Sequence, residues 1–350
     1  METPLLNEHR AAHAQLAEYH GCLLPEKFSD LTTEYRAAKE TVAIFDTNWH
    51  AIFSLSGPDR VRYLNAVVSN DIKSVGEAYG TRALLLNPQG HILAELEVYA
   101  LAEKLLVRTH ASVRERTFAT LDKYIIMDDV TLEDLTDQLG SFAVEGPQAG
   151  TVVAQACGLA LEGFSELANA ELPIDGVPCH LIRRSHFGEI GAEIIAPREH
   201  LGLLWQSMHA RVHAAHGASI GMTALNALRL EAGIPWFPVD FNDTVIPHDA
   251  SLEATHVSFT KGCYTGQEIV ERVRSRGHVN RRRILLTFSG EAAPAPGTKL
   301  RVADAEVGYV TSAALSPASG KAIGMGYIRR EHNAAGSVLE FDGGTATVTS

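Results

Sequence analysis

The chain has 350 residues and a formal net charge of -12 at pH 7. Hydrophobic residues make up 45% and charged residues 21%, the balance of an ordinary globular protein of two or three domains. No apolar run is long enough to span a bilayer, and the mixed-charge start lacks a signal-peptide core, so we expect a cytoplasmic protein with no membrane partner. The acidity argues against a general nucleic-acid binder, although it leaves a local basic patch open.

In the first half of the chain, apolar periodicity and Gly-Pro joints predict alternating helices and strands. We expect helices over 5–20 and 32–40, a strand and a helix within 49–67, a hairpin over 81–101, a strand over 104–110, a helix over 111–123, and two strands and a helix within 130–158. The hairpin turns at "NPQG", residues 87–90, a typical turn sequence.

The second half begins with a predicted hairpin over 179–196 and helices over 198–216 and 222–232. A loop rich in proline and aromatic residues follows at 233–250. Short β-like runs separated by Gly and Pro turns fill 281–350, and they predict a small antiparallel barrel or sandwich.

Two segments of the first half echo each other. "FSLSGPDRVRYL" at 53–64 and "FAVEGPQAGTVV" at 142–153 both carry an aromatic residue, then Gly-Pro, then a helical pattern. The echo indicates two related strand–helix units. It is equally explained by Gly-Pro being a good joint between a strand and a helix.

The segment "KGCYTGQEIVER" at 261–272 sets one thiol beside a helix-start signal. Thr265 and Glu268 have the spacing of a capping box, so we expect Thr265 to cap a helix. Cys263 would then face the positive end of that helix, with Lys261 two residues away, and both would favour the thiolate. A structural cysteine in a tight loop fits the same pattern. We take Cys263 and Lys261 as candidate catalytic residues.

A dense run of arginines follows, and His278 lies within the same stretch. It comprises Arg272, Arg274, Arg276, Arg281, Arg282 and Arg283. Guanidinium groups pair well with phosphates and carboxylates, so the run suits a polyanion. A solvated charged face is the alternative. Within the run, Arg272, Arg274 and Arg281 are the candidate polyanion-binding residues.

Three further patterns bear on ligand and metal binding. Glu189 lies at a glycine-flanked turn, where a carboxylate can accept two parallel hydrogen bonds from a ligand or simply face solvent. Histidines at 209, 213 and 216 share a helix face without an evident acidic partner, so we predict no metal site. The four cysteines, at 22, 157, 179 and 263, are too widely spaced for a zinc set or a disulfide framework.

"KGCYTGQEIVER" resembles the signature of the YgfZ-type folate-binding proteins, which are linked to iron–sulfur cluster assembly or repair and to tRNA modification. Segments such as "FDTNWHAIFSLSGPD", "HFGEIGAEI" and "ALRLEAGIPWFPVDFNDTVIP" resemble the wider family of the glycine cleavage T-protein, a tetrahydrofolate-dependent aminomethyltransferase. The resemblance runs from residue 3 to the C-terminal barrel.

This resemblance implies an α+β fold in a three-part, ring-like arrangement that holds tetrahydrofolate in a central opening. Residues 1–280 would form the folate-binding region, in two interleaved subdomains of about 1–50 plus 135–280, and 51–134. Residues 281–350 would form the barrel. The resemblance also implies that Glu189 and Arg229 contact the folate, although Arg229 could be structural.

One departure concerns chemistry. The aminomethyltransferases carry two aspartates after the hairpin turn, and here that pair reads Ala94-Glu95. In a strand, Glu95 would point to the face opposite Ala94. The T-protein reaction is therefore not expected to run here in the same way.

We derive three hypotheses from these residues. The first is a tetrahydrofolate-binding protein that supports iron–sulfur client proteins through Cys263, as transient ligand, redox partner or nucleophile. The second is a folate-dependent aminomethyltransferase in which Glu95 or Asp240 replaces the missing aspartate. The third is a non-catalytic adaptor that binds tRNA or a protein through the arginine run.

Overall fold

The structure is a computed structural model that describes residues 2–19, 21–277, 279–290 and 292–349, without the side chain of Arg276. The helices within these residues are α1 (Leu6–Ala11), α2 (Leu31–Glu40), α3 (Arg60–Val67), α4 (Arg114–Lys123), α5 (Ala149–Cys157), α6 (Arg198–Ala214), α7 (Met222–Glu231), α8 (Glu253–His256) and α9 (Gln267–Arg276).

The strands follow the chain from a short N-terminal hairpin to the barrel. They are β1 (Gln15–Tyr19), β2 (Cys22–Lys27), β3 (Ala43–Asp46), β4 (His50–Ser56), β5 (Gly80–Leu86), β6 (Ile92–Ala100), β7 (Lys104–His110), β8 (Thr131–Asp134), β9 (Leu139–Glu145), β10 (Asn169–Ile174), β11 (Val177–Arg183), β12 (Gly191–Pro197), β13 (Ala218–Ser219), β14 (Arg281–Phe288), β15 (Lys299–Val302), β16 (Ala305–Ser316), β17 (Lys321–Arg329), β18 (Val338–Phe341) and β19 (Gly344–Val348).

These strands form three main sheets. A five-stranded sheet has the order β5-β6-β7-β4-β8, and a six-stranded sheet has the order β10-β11-β12-β9-β3-β13. The last six strands close into a barrel in the order β14-β17-β16-β15-β18-β19. All strand pairs of the barrel are antiparallel. The mixed helix-and-sheet content and the C-terminal barrel confirm the predicted fold class.

The chain separates into two compact units. Unit 1 comprises 1–64, 72–81 and 96–225, and unit 2 comprises 65–71, 82–95 and 226–350. Segment 226–280 thus groups with the barrel, whereas the sequence assigned it to the folate-binding region. The subdomain boundaries given above stay a prediction.

The helix predicted over 5–20 is wrong beyond residue 11. Helix α1 ends where His13 adopts a positive φ of 55°. Residues 15–19 then pair with 22–27 as an antiparallel hairpin. Strand pairing has overridden the amphipathic pattern that suggested a longer helix.

The two echoing segments do form the same local structure. Each segment contains a strand, β4 or β9, with a buried phenylalanine inside it. A glycine of positive φ follows each strand directly, Gly57 at 97° and Gly146 at 135°. A Cβ on Gly57 would lie 2.3 Å from the carbonyl oxygen of Asp129. Both the φ angle and the close approach therefore require glycine at this joint.

No helix among the described residues is both long and apolar enough to cross a membrane.

Candidate functional site

Cys263 lies on an exposed loop of unit 2, and it is a free thiol. The next residue, Tyr264, is buried, and its ring fixes the loop to the unit. Glycine at 262 has no heavy atom within 4 Å of the position a Cβ would take, so the loop is open on that side. The thiol is therefore available to reactants from solvent.

The ammonium group of Lys261 is directed at backbone carbonyls. It donates to the carbonyl oxygens of Asn65, Val68 (2.5 Å) and Asn70 (3.1 Å), at and just after the end of α3. It also lies 5.0 Å from the ring centre of Tyr264. These contacts are those of a helix C-terminal cap that holds the Cys263 loop in place. A part for Lys261 in the chemistry of the thiol stays a prediction.

The predicted capping box is wrong. Helix α9 begins at Gln267, its N-cap is Gly266 with a φ of 83°, and no side chain caps it. A Cβ at Gly266 would lie 2.6 Å from the carbonyl oxygen of Asn87, in the turn of the β5–β6 hairpin. Glu268 instead pairs with Arg272 at 2.6 Å. The Thr-Gly-Gln-Glu sequence thus makes a tight turn against the hairpin, and glycine is what this turn requires.

The arginines of the run whose side chains are described already have protein partners. On α9, Arg272 pairs with Glu268, and Arg274 pairs with Glu271 at 3.6 Å and covers the Phe259 ring. These side chains are about half exposed, with relative exposures of 47% and 54%. Exposed pairs of this kind exchange readily, so the two residues keep some capacity for an anionic ligand.

The arginines of β14 also have protein partners. Arg281 pairs with Asp249 at 3.3 Å and donates to the Thr244 carbonyl, while Arg282 pairs with Glu253 at 2.9 Å. Arg283 donates to the Ala250 carbonyl. His278 and the side chain of Arg276 lie outside the described residues. Polyanion binding by Arg272, Arg274 and Arg281 stays a prediction, and their carboxylate partners weaken it.

Glu95 does not lie on the same strand face as Ala94, the position at which the aminomethyltransferases carry the first aspartate. Ala94 is fully buried on β6, and the side chain of Glu95 is 25% exposed, as the strand alternation predicts. The carboxylate of Glu95 lies 2.9 Å from Nε2 of His256, whose Nδ1 lies 2.7 Å from the Thr255 hydroxyl. Glu95 and His256 therefore form a hydrogen-bonded pair within unit 2 that is partly open to solvent.

Arg229 and Asp240 are a buried ion pair within unit 2. The Arg229 guanidinium binds Asp240, Asn226 at 2.7 Å and 2.9 Å, and the Ile234 carbonyl, and it has no exposed surface. Asp240 also accepts hydrogen bonds from the hydroxyls of Thr311 (2.6 Å) and Ser312 (2.5 Å) on the barrel. Arg229 thus anchors the 233–250 loop, and its observed contacts are structural. A direct folate contact by Arg229 stays a prediction.

In unit 1, the loop that carries Glu189 is folded around a different carboxylate. Glu145, which is fully buried, accepts from the backbone N–H of His186 (2.6 Å), Phe187 (2.9 Å) and Glu189 (3.1 Å), and from the Ser185 hydroxyl. Burial raises the pKa of the Glu145 carboxyl. The Glu189 side chain itself is directed outward and pairs with Lys39 at 2.5 Å.

A chain of alternating charges crosses the interior of unit 1. Arg184 pairs with Glu97 at 2.8 Å, and Arg108 pairs with Glu193 at 2.5 Å. Arg108 and Glu193 are both 0% exposed, and Glu97 also accepts from the Tyr99 hydroxyl. Although burial opposes ionisation, the positive charge of Arg108 holds the pKa of the Glu193 carboxyl well below its usual range.

Several polar atoms at Glu193 lack partners within the described part of the chain. Oε2 of Glu193 and Nε2 of His186 lie 3.3 Å apart without a hydrogen-bonding geometry. Nε and Nη1 of Arg108 also have no hydrogen-bond partner. Buried donors and acceptors are nearly always paired in folded proteins, so this cluster is the strongest structural indication of a ligand or water site.

Sequence reasoning missed Arg108, Glu193 and Glu97. The available signal was a charge inside an otherwise apolar strand, as in "KLLVRTH", "GAEIIA" and "LAELEVY". Such residues are expensive to bury without a partner, and they mark either an ion pair or a binding site. No group of three or more metal-ligating side chains was found among the described residues.

Comparisons with known proteins cover nearly the whole chain. The profile of the GCVT N-terminal domain matches residues 5–261, and that of the glycine cleavage T-protein C-terminal barrel domain matches 281–349. Relatives named aminomethyltransferase include one from Chloroherpeton thalassium, 27% identical over 93% of this chain and 90% of its own, and one from Rippkaea orientalis, 28% identical over 98% and 93%.

Among solved structures, the fold is similar to that of the glycine cleavage system aminomethyltransferase T from Bartonella henselae. That structure superposes with a TM-score of 0.90 at 22% identity, over 100% of this chain and 97% of the other. The likeness confirms a fold of the glycine cleavage T-protein type with a C-terminal barrel.

Differential alkylation tests the placement of the thiols. Burial raises the pKa of Cys179 to about 11 and also raises that of Cys22. At pH 8 a pKa of about 11 leaves roughly one thiolate in a thousand, so we expect iodoacetamide to label Cys263 first and these two cysteines last. Peptide mass spectrometry over time measures the order. Labelling of Cys22 or Cys179 ahead of Cys263 in the native protein would contradict the structure.

Substitution of Arg229 tests whether its role is structural. Arg229→Met leaves Asp240 as an uncompensated buried charge, and we expect a loss of about 3–5 kcal/mol in the free energy of unfolding. Arg272→Met, at an exposed pair, should change it by less than about 0.5 kcal/mol. Urea denaturation measures both. A stable Arg229→Met variant with weakened folate binding would instead support the predicted ligand contact.

Proposed function

Because the chain belongs to the glycine cleavage T-protein family, we propose that it binds tetrahydrofolate and transfers a one-carbon unit of the aminomethyl type. The observation that carries the proposal is the match of both family domains along almost the entire chain. Relatives that bear the name aminomethyltransferase cover at least 93% of it. The Cys263 loop and the Glu193 cluster supply the residues through which the proposal is tested.

The pterin contact in this proposal falls on Glu193 rather than on Glu189. A pterin ring presents an amino group and a neighbouring ring N–H on one edge, and a carboxylate can accept from both. Glu193 is buried, the positive charge of Arg108 holds the pKa of its carboxyl well below the usual range, and one of its oxygens has no hydrogen-bond partner in the described residues. Hydrogen bonds at such a site are stronger than at the surface, where Glu189 already pairs with Lys39.

Proton transfer in this proposal falls on Glu95 and His256. Ala94 has no group that can move a proton, and Asp240 is fully buried in its pair with Arg229. Glu95 keeps a partly exposed carboxylate, and His256, 2.9 Å away, can exchange a proton with it. The pair is therefore the acid–base group that we assign to this step.

A second candidate function is favoured by Cys263. The exposed free thiol and the absence of a carboxylate at Ala94 both fit a protein that supports iron–sulfur enzymes. One thiol is too few ligands to hold a cluster, which normally takes four, so its role would be transient. Iron–sulfur client proteins, and tRNA modification through them, belong to this candidate.

Paired glutamine variants test the folate site. We expect Glu193→Gln to weaken binding of 5-formyltetrahydrofolate at least about tenfold, because it removes the charge that receives the pterin N–H groups. Glu189→Gln is the matched control and should change affinity by less than about threefold. Isothermal titration calorimetry gives both affinities. The reverse order of effects would return the pterin contact to Glu189.

Substitution of the thiol separates the two candidate functions. If the protein is an aminomethyltransferase, Cys263→Ser should keep turnover of aminomethyl-lipoyl protein with tetrahydrofolate, followed through the released lipoyl thiol. If it supports iron–sulfur enzymes, wild type shows no such turnover, and Cys263→Ser fails to complement cells that lack their own YgfZ-type protein although it still binds folate. Full complementation by the serine variant would remove the second candidate.

A further inference from the structure

The contact between Arg108 and Glu193 is strong but incomplete. Nη2 of Arg108 lies 2.5 Å from Oε1 of Glu193 and 2.6 Å from Nδ1 of His50. The other two nitrogens of the guanidinium, Nε and Nη1, carry three N–H groups without hydrogen-bond partners in the described part of the chain, although all are buried. Leaving buried donors unpaired is unfavourable, so this side chain is not optimally satisfied where it lies.

The guanidinium of Arg108 presents the same arrangement of N–H donors as the pterin that we propose for the Glu193 carboxylate. The amino group, the C2 atom and the two ring nitrogens of a pterin form a cyclic guanidine. Its N–H edge and the N–H edge of arginine bind a carboxylate in the same planar way. A pterin edge that binds both oxygens of Glu193 therefore competes with Arg108 for Oε1.

We propose that Arg108 is a built-in competitor for the pterin on Glu193, and that folate binds when Arg108 moves from Glu193 to Glu97. The inference rests on the proposed folate function. It assigns Arg108 as a residue that sets the affinity and selectivity of the site. Only a ligand with a guanidine-like edge replaces the hydrogen bond that the Glu193 carboxylate loses when Arg108 moves.

A second acceptor for Arg108 is already in place. Nη1 of Arg108 lies 3.6 Å from Oε2 of Glu97, within ion-pairing distance but beyond a hydrogen bond. Glu97 and Arg108 are register partners on the adjacent strands β6 and β7. A small rotation of the guanidinium therefore exchanges one carboxylate for another without exposing the charge. Because Arg108 and Glu193 are both buried, this exchange keeps the arginine charge paired while a ligand occupies Glu193.

The test measures 5-formyltetrahydrofolate affinity in four variants by isothermal titration calorimetry. Arg108→Leu should bind at least about tenfold more tightly than wild type, because no ion pair has to be broken. Glu97→Gln should bind several-fold more weakly, because Arg108 loses its second acceptor. Arg108→Leu combined with Glu193→Gln should show no gain. Arg36→Leu, at an exposed pair on α2, is the control for loss of an arginine and should leave affinity unchanged.

Arg108→Lys is the second variant if Arg108→Leu does not fold. Lysine keeps the charge but not the planar fork, and we expect it to tighten binding several-fold. Binding by either variant that is equal to or weaker than wild type overturns the inference and makes Arg108 a support of Glu193. If neither wild type nor any variant binds a reduced folate, the proposed function itself fails.

Discussion

The interior of unit 1 is organised by charges that cannot be left unpaired. Arg108 and Glu193 have no exposed surface, and they lie on strands of two different sheets, β7 and β12. Removing either partner would strand a buried charge, at a cost of about 3–5 kcal/mol. The pair therefore joins the two sheets, together with the apolar side chains that both contribute. The charge of Arg108 also holds the pKa of the buried Glu193 carboxyl well below its usual range, although burial alone would raise it.

Unit 2 also contains cations with fixed partners, and there they hold loops in place. Arg229 and Lys261 are cations committed to a buried carboxylate and to backbone carbonyls, and each holds a loop that has little regular structure. The loop held by Lys261 carries Cys263, so the thiol is exposed on a fixed support. Both of these cations are candidate site residues, and their contacts in the structure hold these loops in place.

Local chemistry predicted the regular elements well. Gly57 and Gly146 mark strand-to-helix joints in the structure as they do in the sequence, and the turn at Asn87 forms the expected hairpin. The sequence failed where long-range pairing decides, as when residues 15–19 join a hairpin instead of a helix. It failed at Gly266 because a positive φ and a close backbone approach, not a side-chain cap, begin α9.

The candidate site was predicted only in part for the same reason. The motif around Cys263 is contiguous, and its exposure follows from its loop. The cluster around Glu193 is assembled from residues far apart in the chain, so no single stretch displays it. Its members are charges in apolar strands, and only the strand pairing shows that Glu97, Arg108 and Glu193 meet.

A crystal structure with bound 5-formyltetrahydrofolate tests the central claim most directly. The account predicts a pterin edge on the carboxylate of Glu193, with the guanidinium of Arg108 displaced toward Glu97. A folate bound at Glu189 or elsewhere, with the pair between Arg108 and Glu193 intact, would contradict it.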